Sequence, residues 1–147
     1  QDKAQCVIDL DTVMVGYIAY DFGDAIRTII NTAPEDEKNL DKIQLNIGKF
    51  EAYTRGYLSQ TISFITKEEV STLVMAVLLL PYMQAVRFLT DYLNGDVYYK
   101  ASFEKHNLQR TRAQLQLVRM LESSRNELMM IVDNVFTAVK SESNTKN

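Results

Sequence analysis

The sequence has one cysteine, no tryptophan and five glycines in 147 residues. The lone Cys6 excludes an internal disulfide and suits a reducing compartment, so we expect a cytoplasmic protein. The glycines are scattered, and none of them belongs to a glycine-rich phosphate loop. The polar N-terminus does not resemble a signal peptide, and the longest apolar run, 73–80, is too short to cross a bilayer. We therefore expect no association with a membrane.

Charge of either sign is also limited. Charged residues make up 24% of the chain and the net charge is −3, which argues against a general nucleic-acid binder. Hydrophobic residues make up 46%, so a chain of this length can bury one core of ordinary size. We expect a single domain and no nucleic-acid partner.

Apolar periodicity predicts a mainly α-helical fold. We expect helices over about 22–31, 48–64, 67–94 and 103–139, joined by polar loops. A short strand is predicted over 43–47, where apolar and polar residues alternate.

The helix that begins near Lys67 is predicted to be central. Thr66 and Glu69 have the spacing of a capping box, and the residues that follow are apolar nearly all round. Pro81 should kink this helix because it removes one backbone donor. Four residues are expected to be nearly fully buried: Leu73, Val77, Leu80 and Leu89.

The last helical stretch is long for a domain of this size. Over 103–139 it would span about 54 Å at 1.5 Å per residue. It should therefore either bend at Ser123 and Ser124 or project, and a projecting part would need a partner, with self-association as one possibility. Its exposed residues would then be Met129, Met130, Val132 and Phe136, and 141–147 is predicted to be a disordered tail.

Two carboxylates follow the first apolar run. A strand predicted over about 5–9 leads to Asp9 and Asp11, whose side chains would point the same way from an extended chain. Mg²⁺ prefers such oxygen ligands and takes one or two carboxylates beside substrate phosphates. Most pairs of this kind only solvate a loop, so the spacing alone leaves both interpretations open.

Four motifs resemble a known superfamily. V-I-D-L-D at 7–11 and G-Y-I-A-Y-D-F-G-D at 16–24 are similar to the second half of the aminoglycoside phosphotransferase and choline kinase superfamily. R-F-L-T-D-Y-L-N-G-D-V-Y at 87–98 and H-N-L at 106–108 are most similar to its N-acetylhexosamine kinase branch. The resemblance implies the helical C-terminal lobe of a protein-kinase-like fold over 1–140, with a short β element at the N-terminus.

The resemblance also implies roles for the acidic residues. Asp9 and Asp11 would hold Mg²⁺ against the phosphates of ATP. Asp21 would have a structural role and hold the catalytic loop by hydrogen bonds, so the literal D-F-G at 21–23 is a coincidence. Val15 departs from the pattern, because relatives often have proline before the glycine at this position.

Four residues are candidates for binding the sugar substrate. The resemblance implies that Arg87 bonds to sugar hydroxyls or to the N-acetyl group, and that Tyr98 contacts the sugar ring. Asp24 and Arg27 are further candidates, although a solvated i,i+3 ion pair is the simpler interpretation. For Arg87, the simpler interpretation is a surface pair with Asp91 four residues later.

No catalytic residue is expected within this sequence. The superfamily's H-x-D-x-x-x-x-N loop should lie just before the first strand, but only eight residues precede Asp9. The lone His106 begins a predicted helix, where a capping or surface role is more common than chemistry. We expect a fragment of an ATP-dependent sugar kinase that is inactive without its N-terminal lobe and catalytic loop. The alternative is a non-catalytic helical protein-interaction module.

Overall fold

A computed structural model of the protein describes Cys6, Leu10 and residues 13–145. Five α-helices form this described part, which confirms the mainly α prediction. They are α1 (Ile18–Ile29), α2 (Ile47–Thr61), α3 (Lys67–Leu93), α4 (His106–Ser123) and α5 (Arg125–Thr145). The strand predicted over about 5–9 lies outside the described residues, apart from Cys6.

Helix α3 is central, as predicted, and packs against α1, α4 and α5. Its capping box is present: Thr66 N donates to Glu69 Oε2 at 2.8 Å, and Glu69 N donates to Thr66 Oγ1 at 3.1 Å. These two bonds fix the start of the helix where the sequence predicts it. Further along, the helix continues through Pro81, which is itself buried.

The predicted burial of α3 is correct only for its first half. Leu73 and Val77 are fully buried. Leu80 is only half-buried and Leu89 is 37% exposed, so those two predictions are wrong. The described helices cover one side of the second half of α3, and an all-round apolar pattern does not reveal which side is covered.

Helices α1 and α3 lie unusually close together. A Cβ atom on Gly23 would stand 2.7 Å from the carbonyl oxygen of Ala76, so only glycine allows this approach. Around it, Phe22 and Ile26 are fully buried, and the Phe22 ring lies 6.2 Å from the Phe50 ring, edge to face. Helix α1 begins four residues before the predicted start at 22, and Ala19 in this first turn is buried.

The strand predicted over 43–47 is absent. Leu40–Lys42 form a 3₁₀ turn, and Leu45 makes only an isolated antiparallel bridge with Asn31. The alternation itself reflects burial, because Ile43 is buried and Gln44 is exposed. A regular strand needs a longer pairing partner, and the chain enters α2 directly at Ile47 instead.

The last helical stretch bends at Ser124, which separates α4 from α5. Helix α5 then packs against α2 and α3. Val132 is buried and Met130 is 65% exposed, so the helix does not project with all of its apolar residues free. Residues 141–145 are helical rather than a tail, and Arg55 pairs with Glu142 there at 3.2 Å.

Helix α3 also has the length and composition of a possible membrane span. One 18-residue window has a mean hydropathy of 1.7, because apolar residues continue well beyond the run 73–80. Core helices of soluble proteins often have the same composition, and α3 packs against three other helices. The feature therefore gives only weak evidence for a membrane.

Candidate functional site

A groove of about 1190 Å³ lies between the segment before α1, helix α1 itself and helix α3. It begins at Val13, two residues after Asp11 in the sequence. Its wall from α1 carries the carboxylates of Asp21 and Asp24, and its wall from α3 carries Arg87. Three residues singled out from the sequence therefore line one groove, although Arg87 lies far from Asp21 and Asp24 along the chain.

The predicted magnesium ligands, Asp9 and Asp11, lie outside the described residues. Within the part that is described, no group of three or more histidine, cysteine, aspartate or glutamate residues could hold a metal ion. The predicted separation of Asp9 from Arg87, on the order of 10–15 Å for a sugar and a phosphate, stays a prediction because Asp9 lies outside the described residues. Magnesium binding remains a prediction.

Asp21 links α1 to α2. The Tyr57 hydroxyl donates to Asp21 Oδ2 at 2.9 Å, and it also lies 3.3 Å from the Ile18 carbonyl. Burial, together with the hydrogen bond to Asp21, raises the pKa of Tyr57, so the hydroxyl stays protonated and keeps donating. The role implied for Asp21, holding the catalytic loop by hydrogen bonds, stays a prediction.

Asp24 and Arg27 form the i,i+3 ion pair predicted as the simpler interpretation, at 3.2 Å. Arg27 also reaches Glu35 in the loop after α1, at 2.7 Å. Only Asp24 of the two lines the groove. Arg27 therefore ties α1 to the following loop, whereas Asp24 keeps a side chain that is 64% exposed.

Arg87 lies between the groove and a smaller hollow. This second hollow has a volume of about 420 Å³ and is lined by Arg87 and Tyr98 among others. Tyr98 is 74% exposed, and the Arg87 guanidinium carbon lies 5.5 Å from the centre of the Tyr99 ring. The two predicted sugar-binding residues thus share one hollow, and Arg87 also lines the larger groove together with Asp24.

The alternative pair between Arg87 and Asp91 is wrong. Asp91 is only 4% exposed, and its carboxylate faces the loop that follows α3. Oδ1 accepts from Val97 N and Tyr98 N at 3.1 and 2.8 Å. Oδ2 accepts from Tyr99 N at 2.9 Å. Asp91 therefore anchors a loop instead of neutralising a surface arginine.

Asn107 completes this cluster from the first turn of α4. Its Nδ2 donates to Asp91 at 2.9 Å and to Asp96 at 2.8 Å. Its Oδ1 accepts from Arg110 at 2.9 Å. Burial acts to raise the pKa of Asp91, but the hydrogen bonds from Tyr99, Tyr98 and Val97 outweigh it, and the pKa is lowered.

His106 is buried, so the predicted capping or surface role is wrong. Its Nδ1 accepts from Ser102 N at 3.1 Å, and its Nε2 lies 3.0 Å from Asp36. Because Nδ1 accepts, Nε2 carries the proton and donates to the carboxylate. His106 thereby ties the loop before α4 to the loop after α1.

Sequence reasoning missed the roles of Asp91, Asn107 and His106. One signal was available: Asp91 occupies a buried register of an apolar helix and is followed by the N-G-D turn at 94–96. A buried charge needs several partners, and a turn supplies free backbone N–H groups.

No protein-family model matches the chain.

Proposed function

We propose that this chain forms the metal- and sugar-binding part of an ATP-dependent small-molecule kinase of the N-acetylhexosamine type. The observation that carries the proposal is that the groove and the hollow share Arg87 as a lining residue. Asp24 belongs to one motif, Arg87 and Tyr98 belong to another, and all three line these two neighbouring depressions. The two motifs lie far apart in the sequence, so their meeting here supports the proposal.

The chemistry of the hollow suits a sugar. Its volume of about 420 Å³ is within the range of small-molecule sites. The Arg87 guanidinium offers several N–H donors for hydroxyl or N-acetyl oxygens, and the exposed Tyr98 ring offers an apolar face. In this proposal Arg87 orients the acceptor sugar and Tyr98 packs against its ring.

The phosphate end of the site would lie toward the start of the groove. In the proposal, Asp9 and Asp11 hold Mg²⁺, which neutralises phosphate charge in this class of reaction. A catalytic aspartate would come from an H-x-D-x-x-x-x-N loop. The only histidine, His106, is followed two residues later by Leu108, so this loop must be supplied by residues outside the sequence.

Binding experiments on the 147-residue chain test the sugar end. Titration with N-acetylglucosamine, followed by backbone NMR, should shift the amides around Arg87 and Tyr98 saturably. Arg87→Ala should weaken binding about ten-fold or more, because hydrogen bonds from a charged donor are lost. Arg119→Ala is the matched control, since Arg119 is exposed on α4 and lines neither depression. Equal weakening by both variants would contradict the proposal.

A turnover assay tests the missing catalytic loop. The chain mixed with Mg²⁺, ATP and N-acetylglucosamine should release ADP only at background rate, because no catalytic base is positioned. Turnover above background would show that the chain carries its own catalytic loop, and this part of the proposal would fail. The residues encoded upstream of Gln1 give an independent check, and an H-x-D-x-x-x-x-N pattern there would support the kinase assignment.

A second candidate function is a helical protein-interaction module. It is favoured by exposed apolar side chains along α3, among them Met75 at 60%, Tyr82 at 51% and Leu93 at 73% exposure. Such a face often marks a protein contact. A chain that binds neither the sugar nor Mg²⁺, but forms larger particles in analytical ultracentrifugation, would favour this function over the kinase assignment.

A further inference from the structure

The segment between α3 and α4, residues 94–105, begins in a strained conformation. Gly95 has φ of +89° and Asp96 has φ of +58°, and the left-handed region is unfavourable for a residue with a Cβ. The backbone carbonyl of Asp91 accepts from Asp96 N at 2.8 Å. Hydrogen bonds to Asp91 therefore stabilise a turn that the loop would not readily adopt alone.

The side chain of Asp91 continues this control into the next three residues. The backbone N–H groups of Val97, Tyr98 and Tyr99 all donate to its carboxylate. Three successive amides that point at one carboxylate fix the direction of the chain at Tyr98. Because Asp91 lies in the last turn of α3, where the helix dipole disfavours negative charge, these donors also stabilise its charge.

Tyr98 and Arg87 are connected through their neighbour Tyr99. The Tyr98 and Tyr99 rings pack edge to face with centres 4.8 Å apart. The guanidinium of Arg87 lies over the same Tyr99 ring. Because the Arg87 guanidinium and the Tyr98 ring both contact the Tyr99 ring, both sides of the hollow depend on the position of the 97–99 backbone.

We propose that Asp91 is a positioning residue that holds Tyr98 opposite Arg87 and so shapes the hollow between them. Asp91 itself lines the hollow, but its carboxylate is occupied by the loop and by Asn107, so it does not need to touch the ligand. The effect of Asp91 on sugar affinity rests on the proposed function. Its effect on the conformation of the 97–99 backbone is independent of that function.

Asp91→Asn tests this positioning with little change in size. Either orientation of the amide places its NH₂ group against donors, since Oδ1 faces Val97 N and Tyr98 N, and Oδ2 faces Tyr99 N and Asn107 Nδ2. Hydrogen exchange should therefore accelerate about ten-fold or more at the 97–99 amides. Amides in α1 should change much less, which separates local opening from global unfolding.

Asp96→Asn is the matched control. Asp96 makes the same type of bond to Asn107, and asparagine tolerates its positive φ, but its side chain does not hold the 97–99 amides. Exchange at these amides should change less than two-fold. Equal acceleration in the two variants, or none in Asp91→Asn, would overturn the proposal.

Sugar titration provides the second readout, because a purely structural role would not alter it selectively. Affinity for N-acetylglucosamine should fall about ten-fold in Asp91→Asn and stay within two-fold in Asp96→Asn. If the unchanged protein fails to bind the sugar while the 97–99 amides still open in Asp91→Asn, the proposed function fails and the positioning of Tyr98 stands. If the loop opens but sugar affinity is unchanged, the role in shaping the hollow is refuted.

A second variant covers the case in which Asp91→Asn does not fold. Asn107→Ala removes one donor to Oδ2 and leaves the three backbone donors in place. Because Asn107 helps to hold Oδ2 in place, exchange should accelerate most at Tyr99, whose N–H donates to the same oxygen. It should accelerate least at Val97, whose N–H donates to Oδ1. Equal acceleration at the three amides would contradict the assigned contacts.

Discussion

The two halves of α3 are stabilised in different ways. The first half is buried by apolar contacts, with Val70, Leu73, Val74, Ala76 and Val77 all in the core. In the second half, the buried set is Pro81, Ala85, Phe88 and Asp91, and neighbouring apolar residues such as Val86 remain exposed. The buried carboxylate of Asp91 provides fixed contacts to the following loop that apolar packing does not provide there.

This difference matters for where a site can form. Apolar packing is non-directional, so it stabilises the first half without orienting any particular group for a ligand. The hydrogen bonds of Asp91 are directional and fix the Tyr98 backbone. Both the hollow and one wall of the groove are built on the second half, next to that fixed loop.

The largest expected effect comes from a charge in the apolar half. Val77→Asp should destabilise the protein by about 3–5 kcal/mol, because no partner is available for a buried carboxylate. Met75→Asp, two residues earlier on the same helix, should cost less than about 0.5 kcal/mol, since that side chain is 60% exposed. Chemical denaturation measures both changes. An unchanged transition in Val77→Asp would show that the first half is not the core.

A smaller effect is expected where α1 meets α3. Gly→Ala within a helix normally stabilises by roughly 1 kcal/mol, and Gly56→Ala in α2 should do so because its Cβ would meet open space. Gly23→Ala should instead destabilise by about 1–3 kcal/mol, since the new Cβ would stand 2.8 Å from the Ala76 carbonyl carbon. Thermal unfolding of the two variants should therefore shift in opposite directions. A shift in the same direction would contradict the close approach.

The contrast also explains how much of the fold the sequence predicts. Apolar periodicity reports burial, so the helices and the buried positions Leu73 and Val77 follow from it. It does not report which side of a helix has a neighbour, and this is why Leu89 was placed in the core. The role of Gly23 was missed for a similar reason, because a close approach depends on the partner helix.

The candidate site was less predictable than the fold. The motifs selected Asp24, Arg87 and Tyr98, which do line neighbouring depressions. The partner of Arg87 was predicted from local i,i+4 spacing, which ignores long-range donors. Asp91 binds Asn107, sixteen residues away, and such tertiary hydrogen bonds are not visible in the sequence pattern.

The hydrogen bond that links α2 to α1 should contribute less to stability than the hydrogen bonds of Asp91. Tyr57→Phe removes the donor to Asp21 and should cost about 1 kcal/mol, because Asp21 is exposed and water can replace the donor. Tyr53→Phe, one turn earlier on α2, is the control, and its effect should be smaller. Urea unfolding measures both changes. If Tyr57→Phe lowers the free energy of unfolding as much as Asp91→Asn does, the Tyr57–Asp21 bond contributes as much to stability as the bonds of Asp91, and this prediction is wrong.

The most local effect is expected at acid pH. Each end of α3 carries a carboxylate whose pKa is lowered in the folded protein, Glu69 at the start and Asp91 near the end. Such a carboxylate stabilises the fold fully only above its pKa in the unfolded chain, which is 4.5 for Glu69 and 3.8 for Asp91. It is lost as the pH falls through the folded value. Protection of the 97–99 amides should therefore decrease below about pH 3.8, after correction for intrinsic exchange.

Asp91→Asn should remove this acid dependence, because its side chain resembles the protonated carboxyl and already lacks the charge. Glu69→Gln should leave the response of the 97–99 amides intact, since its contacts are confined to the capping box at the other end of the helix. Glutamine can also complete such a box, so the start of α3 should change little at neutral pH. An acid response at 97–99 that persists in Asp91→Asn would mean that a group other than Asp91 controls this loop.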